Sequence, residues 1–398
     1  MLSTPEPQAK GPVEMNATTT WVGMDVHAAT IEWAVALPDG RLLRQETGTS
    51  AETVRRMLRR LRRGAPGLVQ ACYEAGPTGY GLQRLCESEG VACDVVAPSL
   101  IPVKPGSRVK TDRLDAAKLR ELHRAGLLTA VHAPTPAEEA ARSVMRRLRS
   151  AKEDSAKAQH EIKSLLLFIG NRVGEKVGSA AWTKAIDKVV FADWGHQRAF
   201  DDAQLAYRQA EERVKLLMKD VETLAKTSAF ADAVNALQCL KGVALITAME
   251  IATEALSPER FPSAPHFMGF TGLTPSENSS GMSESRGRIT KMGNKRLRTP
   301  LVAAARHSSH RVKTESQALR ARRKEQPEWV VELARQAERR LHARYWMLVN
   351  SGKHVNVAVT AVARELAGFV WAILVRIARE RAAAVVVVVD ADGVLIEG

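Results

Sequence analysis

The sequence predicts a mixed α/β domain followed by a mainly helical half, and three observations carry that prediction. Short β-patterned runs crowd the first hundred or so residues, three of them in immediate succession before strands begin to alternate with helices. Long stretches of 3.6-residue periodicity dominate from residue 138 onward. A glycine-, proline- and serine-rich loop interrupts the helical half between residues 257 and 293.

Residues 1 to about 19 are rich in Pro, Thr, Glu and Ala without periodicity and read as a disordered leader. Residues 21–26, 31–37 and 42–47 read as strands, and Asp39-Gly40 supplies the positive-φ positions of a tight hairpin turn between the second and third. An amphipathic, Arg-rich helix over 51–63 follows, then an apolar strand over 68–73, a helix opened by Gly76-Pro77-Thr78-Gly79, and a strand over 92–97. Alternation of strand and helix implies right-handed parallel crossovers. A three-strand meander followed by βαβ units is the element order of an α/β RNase H-like fold, assigned here to residues 20–137.

Beyond it, Ala141, Val144, Leu148, Ala151, Ser155, Ala158, Ile162, Leu165 and Ile169 alternate spacings of three and four, an a/d seam along a helix over 138–170. The seam suits either a helix packed on its own chain or a dimerising coiled coil. With a second charged helix over about 200–228, it makes residues 138–230 a helical spacer. Residues 231–350 form a mainly α domain with helices expected over 237–255 and 296–305, and residues 351–398 a C-terminal helix and tail. Residues 385–389 and 394–396 are expected either to pair as a small hairpin or to stay disordered.

Composition narrows the function. Lys and Arg number 58 against 44 Asp and Glu, a net charge of +14 with a pI near 9.8, so a polyanionic partner is expected. Four cysteines show no CxxC spacing and the N-terminus lacks the apolar run of a signal peptide, which reads as a cytosolic chain with reduced thiols. The most apolar helical stretch, 366–375, is bracketed by Arg364, Glu365 and Arg376 and falls short of the roughly 20 apolar residues a membrane span needs, so no membrane association is expected.

Four carboxylates carry the chemistry. Asp25 lies near the end of the first strand and Glu74 just past the fourth, and the fold predicted above makes those strands neighbours. Asp112 and Asp115 stand three apart at the start of a predicted helix, hence on one face. Converging carboxylates repel and raise one another's pKa unless a divalent cation compensates, and Mg2+, with Mn2+ as the alternative, fits an all-oxygen donor set. Asp25, Glu74, Asp112 and Asp115 are therefore the candidate metal ligands. Lys110 and Arg113, interleaved with the last pair, are candidate phosphate contacts or solvated surface charges. His27, two residues past Asp25, either lines the site or caps the strand.

A second concentration of charge lies downstream. Between residues 286 and 324 there are 13 Lys and Arg, with Glu315 the single acid, so nearly the whole net charge falls there. Arg286, Arg288, Lys291, Lys295, Arg296 and Arg298 are the candidate nucleic-acid contacts, since cations that neutralise phosphates release counterions and bind without regard to sequence. Just ahead of them, Ser280, followed by Gly281 in a polar loop, is a candidate nucleophile with Ser279 as the alternative. Leu240-Lys241-Gly242-Val243 resembles the turn of a helix-hairpin-helix, whose backbone N–H groups face phosphate.

These motifs taken together resemble the DEDD transposases of the insertion-sequence 110 type. The likeness rests on GMDVH with Asp25, YEAGPTGYGL with Glu74, KTDRLDA with Asp112 and Asp115, and GFTGLTPSENSSGMSESRGRITKMGNKRLR with Ser280, and it covers about 21–130 and 235–310. It implies a RuvC-like catalytic domain first and a serine-bearing transposase domain last. It further implies a recombinase guided by a structured RNA that pairs with donor and target DNA. The serine would form a covalent DNA link, acids from a partner subunit would assist, and dimers would pair into a tetrameric synapse. Ala244 replaces the second glycine of the usual hairpin turn. Two other functions fit the residues: a RuvC-like Mg-dependent nuclease or junction resolvase without a covalent serine, and a nucleic-acid-binding scaffold whose acids are structural.

Overall fold

Strand-forming residues at the N-terminus pair in the order the chain meets them. β1 (Thr20–Val26), β2 (Thr30–Ala36) and β3 (Leu42–Gly48) form an antiparallel meander. At its second turn Gly40 takes φ +86° and the Asp39 carboxylate accepts the Arg41 N–H at 2.9 Å. α1 (Ala51–Gly64), capped by the Ser50 hydroxyl, buries Val54, Met57, Leu58 and Leu61 and leaves its arginines outside. β4 (Val69–Glu74) then runs parallel beside β1; α2 (Gly81–Ser88) leads to β5 (Ala92–Val96), parallel to β4. The strand order is β3-β2-β1-β4-β5.

The computed structural model describes residues 18–102, 112–277, 286–312 and 315–387, and the chain divides into two units at Pro134/Thr135. Residues 1–17 of the leader expected over 1–19, Lys110, Ser279, Ser280, Gly281 and the tail past 387 lie outside the described residues.

Pleating sorts the first unit's sheet into two faces. Val22, Met24, Ile31, Trp33, Val35, Ala71, Tyr73 and Val95 pack with α1 and Cys86 of α2 in one core. The alternate positions, Gly23, Asp25, Glu32, Cys72, Glu74 and Asp94, fall on the other face, where α3 (Asp112–Arg124) lies. An apolar face thus anchors the sheet while the opposite face collects acids.

In the second unit, α4 (Pro136–Phe168) opens with a capping box between Thr135 and Glu138, and α5 (Ala180–Ile186) and α6 (Trp194–Thr227) follow. α6 runs back along α4. Val221 and Ala225 join Ala141, Met145 and Leu148 at one end, while Phe200 and Tyr207 meet Ala158, Ile162 and Leu166 at the other. Midway, Ser155 donates to Glu211 and Arg213 pairs with Asp154 at 3.1 Å. The small-residue seam read from the sequence is thereby filled by the same chain, with Met145 and Leu166 buried where Val144 and Leu165 were expected to be.

α7 (Ala231–Leu237), α8 (Leu245–Ala255), α9 (Ala264–Thr271), the two-stranded ribbon of β6 (Pro275–Glu277) and β7 (Arg286–Ile289), α10 (Lys295–Ala305), α11 (Gln317–Lys324), α12 (Glu328–Asn350) and α13 (Val355–Val387) complete the unit. The helix expected over 237–255 is broken by a turn at 238–244. There Gly242 takes φ +84°, and a Cβ on it would sit 2.5 Å from the Ala304 carbonyl oxygen. That turn faces its own unit, and the Lys241 ammonium is bonded to Glu338 at 3.0 Å and to the Arg311 carbonyl at 2.8 Å.

α13 departs from the sequence reading twice. Residues 385–387 extend this helix, where a hairpin or disorder was expected. Residues 355–383 are also long and apolar enough to cross a membrane by length and composition, because the helix reads through Arg364, Glu365 and Arg376. Half of that window is buried, with Val359, Val362, Ala363, Leu366, Ala367, Val370 and Ile373 in the unit's core. Two of its charges are taken up by α12: Glu365 accepts from Arg340 at 2.9 Å, and Arg376 lies 4.1 Å from the Trp329 ring centre.

Candidate metal centre and basic face

α3 lies antiparallel along β1. At one end the Trp21 and His123 rings meet edge-on at 5.1 Å, and His123 Nε2 lies 3.0 Å from Asp94 Oδ2. In the middle Gly23 lets the helix backbone approach, since a Cβ there would stand 2.1 Å from the Ala116 carbonyl oxygen and 2.6 Å from the Arg120 nitrogen. At the other end Asp112 comes down beside Asp25 and His27. Two sequence-distant acids meet because a glycine removes the side chain between the elements that carry them.

His27 Nε2 sits 3.5 Å from Asp25 Oδ2 and 3.4 Å from Asp112 Oδ2, and one donor atom from each of the three lies within 4.8 Å of the others. Asp25 is the sheltered member, its side chain 20 % exposed. Burial raises its pKa above the ordinary carboxylate value; His27 opposes the rise, and the negative charges of Asp112 and Asp115 add to it. Asp115 therefore belongs to the same electrostatic cluster. Glu74 stands one position past the Met24–Tyr73 pairing of β1 and β4, on the carboxylate face and adjacent to Asp25 by register, though outside the close three-residue group.

A sixth group was not singled out by the sequence. Glu32 is paired directly with Asp25 across β1 and β2, is 7 % exposed, and meets Arg113 at 3.9 Å. Arg113 thus has a carboxylate on its own unit. The alternation of Glu32 with Ile31 and Trp33 on a meander strand was the available signal. Oxygen donors from Asp25 and Asp112 with an imidazole nitrogen between them make a donor set suited to a divalent cation, which would cancel the repulsion that raises Asp25.

The downstream cations divide by what they touch. Arg288, Lys291, Lys295 and Arg296 are exposed, with Lys291 at φ +56° just after β7. Arg298 instead donates to the Thr271 and Lys291 carbonyls at 2.9 and 3.2 Å and pins the turn before α10. Arg322 donates to the Val243 carbonyl, and buried Arg323 pairs with Glu315 and Glu338. Part of the basic run therefore holds the fold. Arg286 lies on β7, paired with Glu277 of β6, and that ribbon bounds the serine segment on both sides.

Behind the ribbon, buried Glu254 of α8 accepts from Arg142 at 3.1 Å, from Arg146 at 3.4 Å and from the Asn294 side-chain amide at 2.9 Å. Asn294 in turn caps α10 through the Arg296 and Leu297 N–H groups. Burial raises the Glu254 pKa, yet the Asn294 bond and the two arginines outweigh it and hold the carboxyl below its ordinary value. Glu254→Ala is expected to cost about 2–3 kcal/mol in urea unfolding at neutral pH, because it strands the mostly buried Arg142 guanidinium and the Asn294 amide, while the exposed Arg146 turns to solvent. A depressed pKa gives stability that is present above the ordinary value of 4.5 and lost as pH falls through the folded-state value, so the gap between variant and parent closes in acid.

Comparison with known proteins now fixes the class. A DEDD transposase model of the IS110 type matches residues 22–170, and a model described as Transposase IS116/IS110/IS902 family matches residues 234–321. The chain is 42 % identical over 307 residues to a Sinorhizobium fredii protein named as transposase y4qE, covering 77 % of this chain and 75 % of that one. It is 29 % identical over 332 residues to the transposase for insertion sequence element IS1533 of Leptospira borgpetersenii, covering 82 % of this chain and 95 % of that one. The protein is a transposase, an enzyme that cleaves and transfers DNA. It belongs to the IS110 family of insertion-sequence transposases.

Proposed function

We propose that the first unit is an RNase H-like, RuvC-like catalytic domain in which Asp25, Glu74, Asp112 and Asp115 hold Mg2+ or Mn2+ against a DNA phosphodiester. The observation that carries this reading is the meeting of Asp25, His27 and Asp112 on the acid-bearing face of the sheet. The strand order and the β1–β4 adjacency support it. A divalent cation supplies positive charge beside the scissile phosphate. Asp25, the sheltered member, and the exposed Asp112 would hold it between them.

Ser280 is the nucleophile in this reading, with Ser279 as the alternative. Its oxygen forms a bond to phosphorus as the scissile P–O bond breaks, the serine proton passes to solvent, and the departing DNA oxygen leaves as a hydroxyl. Exposed Arg288, Lys291, Lys295 and Arg296 steer the phosphates, with Lys110, Arg113 and Arg286 as further contacts. A structured guide RNA then supplies sequence choice by base pairing. The protein works as a homo-oligomer, a dimer assembling into a tetrameric synapse. Leu167, Phe168, Leu205 and Leu216, exposed on the α4–α6 pair, support a contact between copies there.

Ser280→Ala is expected to abolish covalent protein–DNA adducts, trapped by denaturing gel, while leaving nucleic-acid binding within about twofold. Adducts that persist in Ser280→Ala and vanish in Ser279→Ala would move the role one residue. Mg-dependent cleavage that survives both changes would establish the hydrolytic nuclease in place of the recombinase.

A further inference from the structure

We propose that His27 is a direct metal ligand, so that the centre is a mixed nitrogen–oxygen site that takes Mn2+ in preference to Mg2+; this rests on the metal-site reading above. Three observations point there. The Nε2 atom lies 3.5 and 3.4 Å from one oxygen of each of Asp25 and Asp112. Adjacent ligands on an octahedral ion with bonds of about 2.1 Å stand about 3 Å apart, so the His27 nitrogen needs to close on each carboxylate by only a few tenths of an ångström.

The position of His27 is also fixed by the backbone. Its N–H donates to the Thr30 carbonyl at 2.9 Å, closing the short connection between β1 and β2, directly after the Val26–Ile31 pair. The ring therefore projects from a rigid turn. Its side chain is 52 % exposed and that of Asp112 66 %, against 20 % for Asp25, so His27 and Asp112 together form the open side of the site.

Chemistry then sets the ion. Mg2+ is hard and prefers oxygen, whereas imidazole raises affinity for later divalent ions, and Mn2+ accepts both donor types in the same octahedral geometry. A nitrogen among the oxygens shifts the site away from Mg2+. The same nitrogen gives the proposal a readout independent of catalysis.

The test is electron spin-echo envelope modulation of Mn2+ bound to the full-length chain. The parent protein is expected to show nitrogen modulation from a coordinated imidazole, which changes to the 15N pattern when histidine alone is 15N-labelled. His27→Gln is expected to abolish that modulation and weaken Mn2+ binding by about tenfold or more while changing Mg2+ binding much less. Bound Mn2+ without nitrogen modulation in the parent, or modulation that survives His27→Gln, overturns the assignment while leaving the acidic site intact. If His27→Gln misfolds, His27→Asn makes the same assignment to this one of the chain's ten histidines, and modulation that survives in it overturns the proposal equally. Failure of the underlying site has its own signature: no saturable Mn2+ binding, or binding unaffected by Asp25→Asn.

Discussion

Asp25→Asn is expected to give a protein that melts higher than its parent without metal and yet has lost DNA cleavage by roughly 10²–10³-fold or more. The two effects share a cause. Asp25 is sheltered by burial and faces the charges of Asp112 and Asp115, which lift its folded-state pKa above the unfolded value of 3.8. For a carboxyl shifted upward, the ionised form is penalised in the fold, so the penalty is full at pH values above the folded-state pKa. It is relieved as pH falls below the unfolded value. Asparagine keeps the shape and removes the charge, which at neutral pH is expected to stabilise the metal-free protein by about 0.5–2 kcal/mol, the usual scale of a stabilising substitution. Added Mg2+ or Mn2+ is expected to raise the melting temperature of the parent, since a cation at 100 times its dissociation constant contributes about 2.7 kcal/mol, and to leave Asp25→Asn unmoved. A variant that melts lower than the parent without metal, or still responds to the cation, would mean that Asp25 is structural.

The sequence carried the strands of the first unit because each is short and most are set off by Gly, Pro or Asp-Gly turns, so local chemistry and final topology agree. It also placed Asp25 and Asp112 correctly at the ends of their elements. What it did not carry is which groups have partners from afar. Arg298, Arg322 and Arg323 read as part of one cationic face, yet their guanidinium groups are used on the Thr271, Lys291 and Val243 carbonyls and on Glu315 and Glu338. The Ala/Ser seam of α4 has the right period for a partner helix but says nothing of whose helix fills it. α6 answers that through Phe200, Tyr207 and Val221. In α13 the charges at 364, 365 and 376 looked like the limits of the apolar stretch, because the α12 partners of Glu365 and Arg376 are invisible to a local window. His27 was ambiguous for the same reason: an imidazole next to a strand end acquires meaning only when Asp112 arrives from another element.

Gly23→Ala is expected to be the most damaging single-methyl change in the first unit, costing about 3 kcal/mol or more in urea unfolding and removing cleavage activity with it. The added Cβ meets backbone on both counts, 2.1 Å from the Ala116 oxygen and 2.6 Å from the Arg120 nitrogen, so no side-chain rotation relieves the clash. α3 has to move away from β1, and Asp112 is carried on its first turn. The metal donors therefore separate even though none of them is altered. Saturable Mn2+ binding is expected to fall together with stability. Gly40→Ala provides the contrast: that glycine takes φ +86° with nothing within 4 Å of a Cβ, so the change costs only about 1 kcal/mol of backbone strain and leaves metal binding and cleavage as they were. Equal losses of metal binding in the two variants would show that the approach of α3 to β1 is not what assembles the centre. A loss confined to Gly23→Ala ties the chemistry of the site to the absence of one methyl group beneath it.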